Sequence, residues 1–268
     1  MSMPINPPHV PVLTALLSAD RLASLSALTG SAEAAIELHQ ETLKLGAALM
    51  SVTATIEIAL RNTVAENLSH HFGVPNWLQQ PPIDFVWKDP ERSKISAAVD
   101  SAKRAEYSKL SQAQKADLDR LAYPAGRPPN TPHLRRAKDR RRHLVVSEGK
   151  VIAELTLYFW KRLYGPEYDQ SLWRTTLKRT FPDKKLSRAA VAIQLEHFYQ
   201  SRNRLAHHEP VLHQRFADTM GAIAFITQRL GVTHPAPDTP LATLLADEIE
   251  FVRASEAALR VRLDAYRI

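Results

Sequence analysis

Prolines are spread unevenly along this chain, and the gap between them constrains its fold more than any other feature. The 268 residues hold 18 prolines, yet none lies between Ser31 and Gly73. Proline breaks a helix interior by removing a donor and crowding the preceding turn, so a long proline-free run leaves a helix free to continue. In this run Leu49, Val52, Ile56, Ala59, Leu60 and Thr63 recur at spacings of three and four, the mark of a helix with one buried face. Ser31 is a suitable N-cap and Gly73 a suitable stop. The spacing therefore predicts one long helix, with Gly46 as the place where it would bend. Only eight glycines occur, and no stretch alternates apolar and polar residues long enough for a strand. The expected class is all-α.

The remaining punctuation divides the chain further. Residues 1–17 read as a loose, proline-containing arm. Prolines 75, 81, 82 and 90 mark a surface excursion carrying Trp77, Phe85 and Trp87. Residues 91–122 read as one or two polar helices, and 123–143 as a basic loop outside the core. Order returns at Ser147, where Val151, Ile152, Leu155, Phe159 and Leu163 form a broad apolar stripe ending before Gly165. Ser187 caps a helix expected to run to Glu209, where Pro210 stops it. A further helix covers about 212–230, and Thr239-Pro240 opens a last one. The expectation is a single domain, with 75–146 as a Pro-rich basic insertion, 147–215 as its motif-bearing helices and 216–268 as C-terminal helices.

Composition removes several chemistries. There is no cysteine, so disulfides, thiol nucleophiles and Cys-ligated metal are excluded. No Gly-rich phosphate loop is present. His70-His71 and His207-His208-Glu209 lack metal-ligand spacing, since consecutive helical residues point in different directions. No metal and no cofactor are expected. The start of the chain lacks a secretory pattern, and the apolar stretch 151–160 is too short to span a bilayer. A cytoplasmic protein without membrane contact is the expectation. The formal charge of +7 favours a polyanionic partner without naming it.

The helix 187–210 carries the most informative residue. Its inward stripe runs Val191, Leu195, Phe198 and Leu205, and the missing member of the series is Arg202. An unpaired charge on an apolar seam costs several kcal/mol. Arg202 must therefore pair with a core carboxylate such as Glu57, face a wet cavity, or meet a second subunit. Asn203 and His207, four apart, share a helix face, where the amide could fix the imidazole tautomer. Arg202 and His207, five apart, are separated by roughly 140° on an ideal helix. They converge only if the last turn unwinds or two copies face each other. In the simpler alternative His207 only caps the last turn.

The string "SRNRLAHHEPVL" resembles the signature of the abortive-infection (Abi-like) family of the HEPN superfamily, whose motif is an Arg, usually followed by a polar residue such as Asn, and a His after four to six intervening positions. Arg202-Asn203 and His207 fit with four between, and His208 fits with five. "IEIALRNTV" (56–64) and "ELTLYFWKRLYGPEYDQSLWRTTLKRTFP" (154–182) resemble its first-helix and middle blocks. The resemblance spans about 31–215, interrupted by 75–146. It implies a HEPN-like helical bundle and a homodimer whose composite site cleaves RNA without metal. The RNA 2′-OH attacks the adjacent phosphorus, leaving a 2′,3′-cyclic phosphate and a 5′-OH. It also implies a toxin or phage-defence role, with an antitoxin or inhibitor as a further partner. Arg202, Asn203 and His207 are then the catalytic candidates, with Arg204, His208, Glu57 and Arg61 as auxiliary ones. The alternative is a non-catalytic helical dimer that binds RNA or a nucleotide.

Other residues carry two readings each. Glu57 and Arg61 can form an exposed ion pair along one helix, or Arg61 can join the pocket with Asn62. Arg135, Arg136, Lys138, Arg140, Arg141 and Arg142 can grip RNA phosphates, or form a solvated loop. Trp87, Trp160 and Trp173 read as core anchors.

Overall fold

Helix α3 runs unbroken from Ala32 to Phe72, 41 residues, with no interruption at Gly46. The Ser31 hydroxyl accepts the Ala34 N–H, and Gly73 takes a positive φ of 63° past the last turn. Leu38, Leu45, Leu49, Val52, Ile56, Leu60, Val64 and Leu68 recur almost every four residues and are all buried. This is the 3.6-residue period turned into a continuous apolar face.

The computed structural model describes residues 5–266. It is all-helical, and no strand occurs among those residues. Before α3 come α1 (Val10–Leu17) and α2 (Ala19–Thr29). After it follow α4 (Asp89–Lys109), α5 (Gln112–Ala122), α6 (His133–Arg142), α7 (Glu148–Glu154) and α8 (Leu157–Arg162). The chain ends with α9 (Arg188–Ala206), α10 (Gln214–Thr227), α11 (Pro240–Leu244) and α12 (Ala246–Asp264). It forms two compact units, one of residues up to Leu60 together with Phe181 onward, the other Arg61–Thr180. The excursion at 75–146 shares its unit with α7 and α8. Part of the N-terminal arm is also ordered: 10–17 is helical, although it buries no residue. Residues 1–4 of that arm lie outside the described part.

In the first unit α9 packs on α10, α10 on α11 and α11 on α12. Ser187 caps α9 by accepting the Ala190 N–H, and Val191, Leu195, Phe198 and Leu205 are buried as their spacing predicts. Leu205 reaches α3 beside Gly46, where an added Cβ would stand 3.7 Å from its Cδ2. Arg262 of α12 binds Glu37 and Glu41 on α3. Thr239 caps α11 as expected, but the C-terminal segment is two helices, because Leu245 turns into the core between them.

The second unit corrects two expectations. Trp87 is buried, as a core anchor should be, but so is Trp77, and with Phe72, Phe85 and Phe159 the two form a cluster of ring contacts where a surface excursion is expected. The prolines shape the backbone, while the large apolar rings pull it inward. The basic stretch 123–143 is a loop only as far as Pro132. It contains α6, whose Asp139 and Arg140 are buried. The predicted polar helices at 91–122 are α4 and α5, the latter closed by a Ser111/Gln114 capping box. Glu91 of α4, 1% exposed, accepts from Arg162 Nε and from the Tyr168 hydroxyl, both at 2.8 Å. That pairing satisfies a carboxylate whose burial alone would be costly.

A longer apolar stretch than 151–160 lies in α3. Over 18 residues it is apolar enough to cross a membrane by length and composition, and one third of that stretch is buried within the protein.

Candidate functional site

Arg202 occupies the seam position that its helix period assigns to a hydrophobe. Its Nε donates to Glu57 Oε2 at 3.0 Å, with side-chain exposures of 34% and 17%. The core-carboxylate pairing is therefore the arrangement found. Only one edge of the guanidinium is used. Nη1 and Nη2 make no hydrogen bond among the described residues and remain donors in a partly shielded place. Glu57 pairs with Arg202 rather than with Arg61, whose Nε donates to the neighbouring Asn62 side chain at 3.4 Å. Arg61 belongs to the second unit.

Helix α9 ends at Ala206, three residues before the expected Glu209, and the ending has a defined chemistry. The His208 N–H donates to Leu205 O at 3.0 Å, and the Glu209 N–H to Arg204 O at 2.9 Å. These are the two reversed bonds of a Schellman cap. His208 supplies its left-handed residue, with φ of 55°, a position usually given to Gly and tolerated by His more than by most residues. The Arg204–Glu209 ion pair, 2.8 Å, closes the same turn. His208 O accepts from Arg21 Nη1 at 3.2 Å. Its backbone thus builds the turn, while His207 sits at the helix cap with its side chain exposed. The His207 N–H bonds back to Asn203 O at 3.2 Å. The side-chain contact expected between Asn203 and His207 does not form, and neither side chain makes a hydrogen bond among the described residues.

Asn203 also borders a cavity of about 360 Å³ between α9 and α10, lined by His197, Gln200, Arg204, Arg215 and Asp218 among others. Its floor is pinned by a 2.6 Å hydrogen bond between the Ser201 and Thr219 hydroxyls. Arg204 Nε is buried there and has no hydrogen-bond partner among the described residues. Asp218, the one carboxylate in the lining, accepts from Gln214 at 2.8 Å. Sequence reasoning missed His197, Arg215 and Asp218. The readable signal was the 197, 200/201, 204 spacing, which marks a second polar face on α9.

The basic run divides by role. Arg136 and Arg140 both bind Asp119 of α5, with Arg136 Nε 3.0 Å from each carboxylate oxygen and Arg140 Nε at 2.6 Å. Hydrogen bonds from Arg136 and then Arg140 hold the Asp119 carboxyl well below the usual carboxylate range. Arg135 binds Asp139 at 2.9 Å and Arg142 approaches it at 3.2 Å. Arg136 and Arg140 are anchors of the fold, whereas Lys138 and Arg141 have no ion-pair partner among the described residues.

Among the described residues no group of three or more His, Asp or Glu could hold a metal ion. No family model, curated protein or solved structure matches the chain.

Proposed function

We propose that this chain is an Abi-like HEPN endoribonuclease that cleaves RNA by attack of the 2′-OH, as a toxin or phage-defence effector working in the cytoplasm. One observation carries the reading. The Arg202 guanidinium is fixed through Nε by Glu57, while its Nη edge stays free, five residues before the solvent-exposed His207. A half-shielded, oriented arginine is suited to a phosphorane, whose charge grows on the non-bridging oxygens during reaction.

In this scheme a neutral imidazole takes the 2′-OH proton as the 2′-oxygen bonds to phosphorus. The P–O5′ bond breaks, and an imidazolium returns a proton to O5′. The products are a 2′,3′-cyclic phosphate and a 5′-OH. Positioned acid–base catalysis of this kind contributes about 10²–10⁴-fold. Arg202 on the seam of α9 and the exposed His207 at its cap suit a homodimer in which each copy supplies an imidazole. Asn203, uncommitted in the free chain, would hold a phosphate or orient the ring.

RNA cleavage by Arg202→Ala and His207→Ala tests the reading. Both variants should remain folded and lose cleavage, and full cleavage by the double variant would overturn it. The cavity between α9 and α10 favours a second reading, a non-catalytic RNA- or nucleotide-binding dimer. That reading expects binding to fall with Arg204→Ala or Arg215→Ala, with no cyclic-phosphate product from the wild type.

A further inference from the structure

The six cations of α6 do not act together. Successive helical residues turn by roughly 100°, so Lys138, Arg141 and Arg142 lie on the side of α6 away from Arg136 and Arg140. With Asp119 drawing Arg136 and Arg140 to one side and Asp139 pairing Arg135, the remaining three, Lys138, Arg141 and Arg142, face a small hollow. Lys103, Arg104 and Asp100, one face of α4, complete its lining. The Lys103 ammonium donates to Arg142 O at 3.3 Å and ties the two helices across it. Arg142 is offset by Asp139 at 3.2 Å. Four cations still face Asp100 alone, and Arg104, Lys138 and Arg141 have no ion-pair partner among the described residues. Among the described residues Asp100 alone offsets the mutual repulsion of these four cations, which leaves positive charge in excess. An anion would relieve it.

The hollow measures about 130 Å³. Pockets for organic ligands run to about 300–1,000 Å³, so this one suits a compact anion rather than a base and sugar. A phosphoryl group carries about −1.5 to −2 charge near neutrality and three acceptor oxygens. Guanidinium forks match such oxygens in pairs, and ammonium groups add point charge. A lone carboxylate would leave most of the cations unanswered.

We infer that the cleft between α4 and α6 is a binding site for phosphoryl groups, one or two joined at a time, held by Lys103, Arg104, Lys138 and Arg141. The site does not depend on the nuclease reading. Two sources share this chemistry, a free oligophosphate and the backbone of a nucleic acid.

Inorganic pyrophosphate titrated into the full chain by calorimetry at low ionic strength is the test. Saturable binding is expected, weakened at least about tenfold in Arg104→Gln/Lys138→Gln/Arg141→Gln. A control with the same charge change, Lys178→Gln/Lys184→Gln/Lys185→Gln, should bind as the wild type does. No binding by the wild type, or equal loss in both triple variants, overturns the site. Circular dichroism checks folding of the triple variant. Should it unfold, Arg104→Gln and Arg141→Gln alone must each weaken binding, and unchanged binding in both overturns the site. Displacement of pyrophosphate by a single-stranded RNA oligomer upholds the site with nucleic acid as the source, and saturable binding that RNA leaves untouched upholds it with the free anion.

Discussion

The Arg202 guanidinium and the Glu57 carboxylate, on two helices far apart in sequence, meet at 3.0 Å on a seam otherwise made of Val191, Leu195, Phe198 and Leu205. The pairing answers the cost of a charge among hydrophobes and leaves half of the guanidinium available. Glu57→Gln should strand that charge and cost about 1–3 kcal/mol in urea unfolding. The combined Arg202→Ala/Glu57→Ala change should cost clearly less than the sum of its parts. Strict additivity would mean the two groups are not coupled.

The two neighbouring histidines should separate cleanly. His208 holds the left-handed position of the Schellman cap, so His208→Gly should leave stability unchanged or raise it by up to about 1 kcal/mol. His208→Val should lower it by about 1–2 kcal/mol, since a β-branched residue resists that conformation. RNA cleavage should survive His208→Gly and be lost in His207→Ala. The reverse pattern would move the catalytic role to His208.

Asp119 anchors α6 through two guanidinia. Asp119→Asn should destabilise the second unit by about 1–3 kcal/mol, a figure moderated by partial exposure of the site. The carboxyls of Asp119 and Asp139 are held below their ordinary range, each chiefly by an arginine. Their contribution is therefore present above about pH 4 and lost as pH falls below it. Calorimetric melts of the variant should show a smaller acid loss than the wild type, and an identical loss would contradict the anchor.

His39 is buried, its Nδ1 has no partner, and its pKa is lowered first by burial and then by Arg21. The unfolded chain takes up a proton near pH 6.5 where the folded one resists, so stability falls as pH drops below about 6.5. His39→Leu should flatten the decline in melting temperature between pH 7.5 and 5.5. An unchanged slope would place the decline elsewhere.

What the sequence revealed was local. Ser31, Ser187 and Thr239 cap helices where their position announces it, and the α9 stripe follows from its period. What it hid depends on partners distant in the chain. Trp77 sits among prolines that signal surface, and only the rings of Phe72 and Trp87 explain its burial. The helix at 133–142 could not be foreseen without Asp119 to neutralise it. The end of α9 was misplaced because the residue that turns it is His208, where the usual signal is a glycine. Arg202 itself stood out because it breaks a pattern, and Glu57 was named as a partner on chemistry alone.

The most direct measurement is end-group analysis of labelled RNA incubated with purified protein in chelator. Fragments ending in a 2′,3′-cyclic phosphate, with a 5′-OH on the partner fragment, are expected from the wild type and not from Arg202→Ala/His207→Ala. Intact RNA with the wild type, fragments bearing 5′-phosphates, or the same products from the double variant would contradict the nuclease reading.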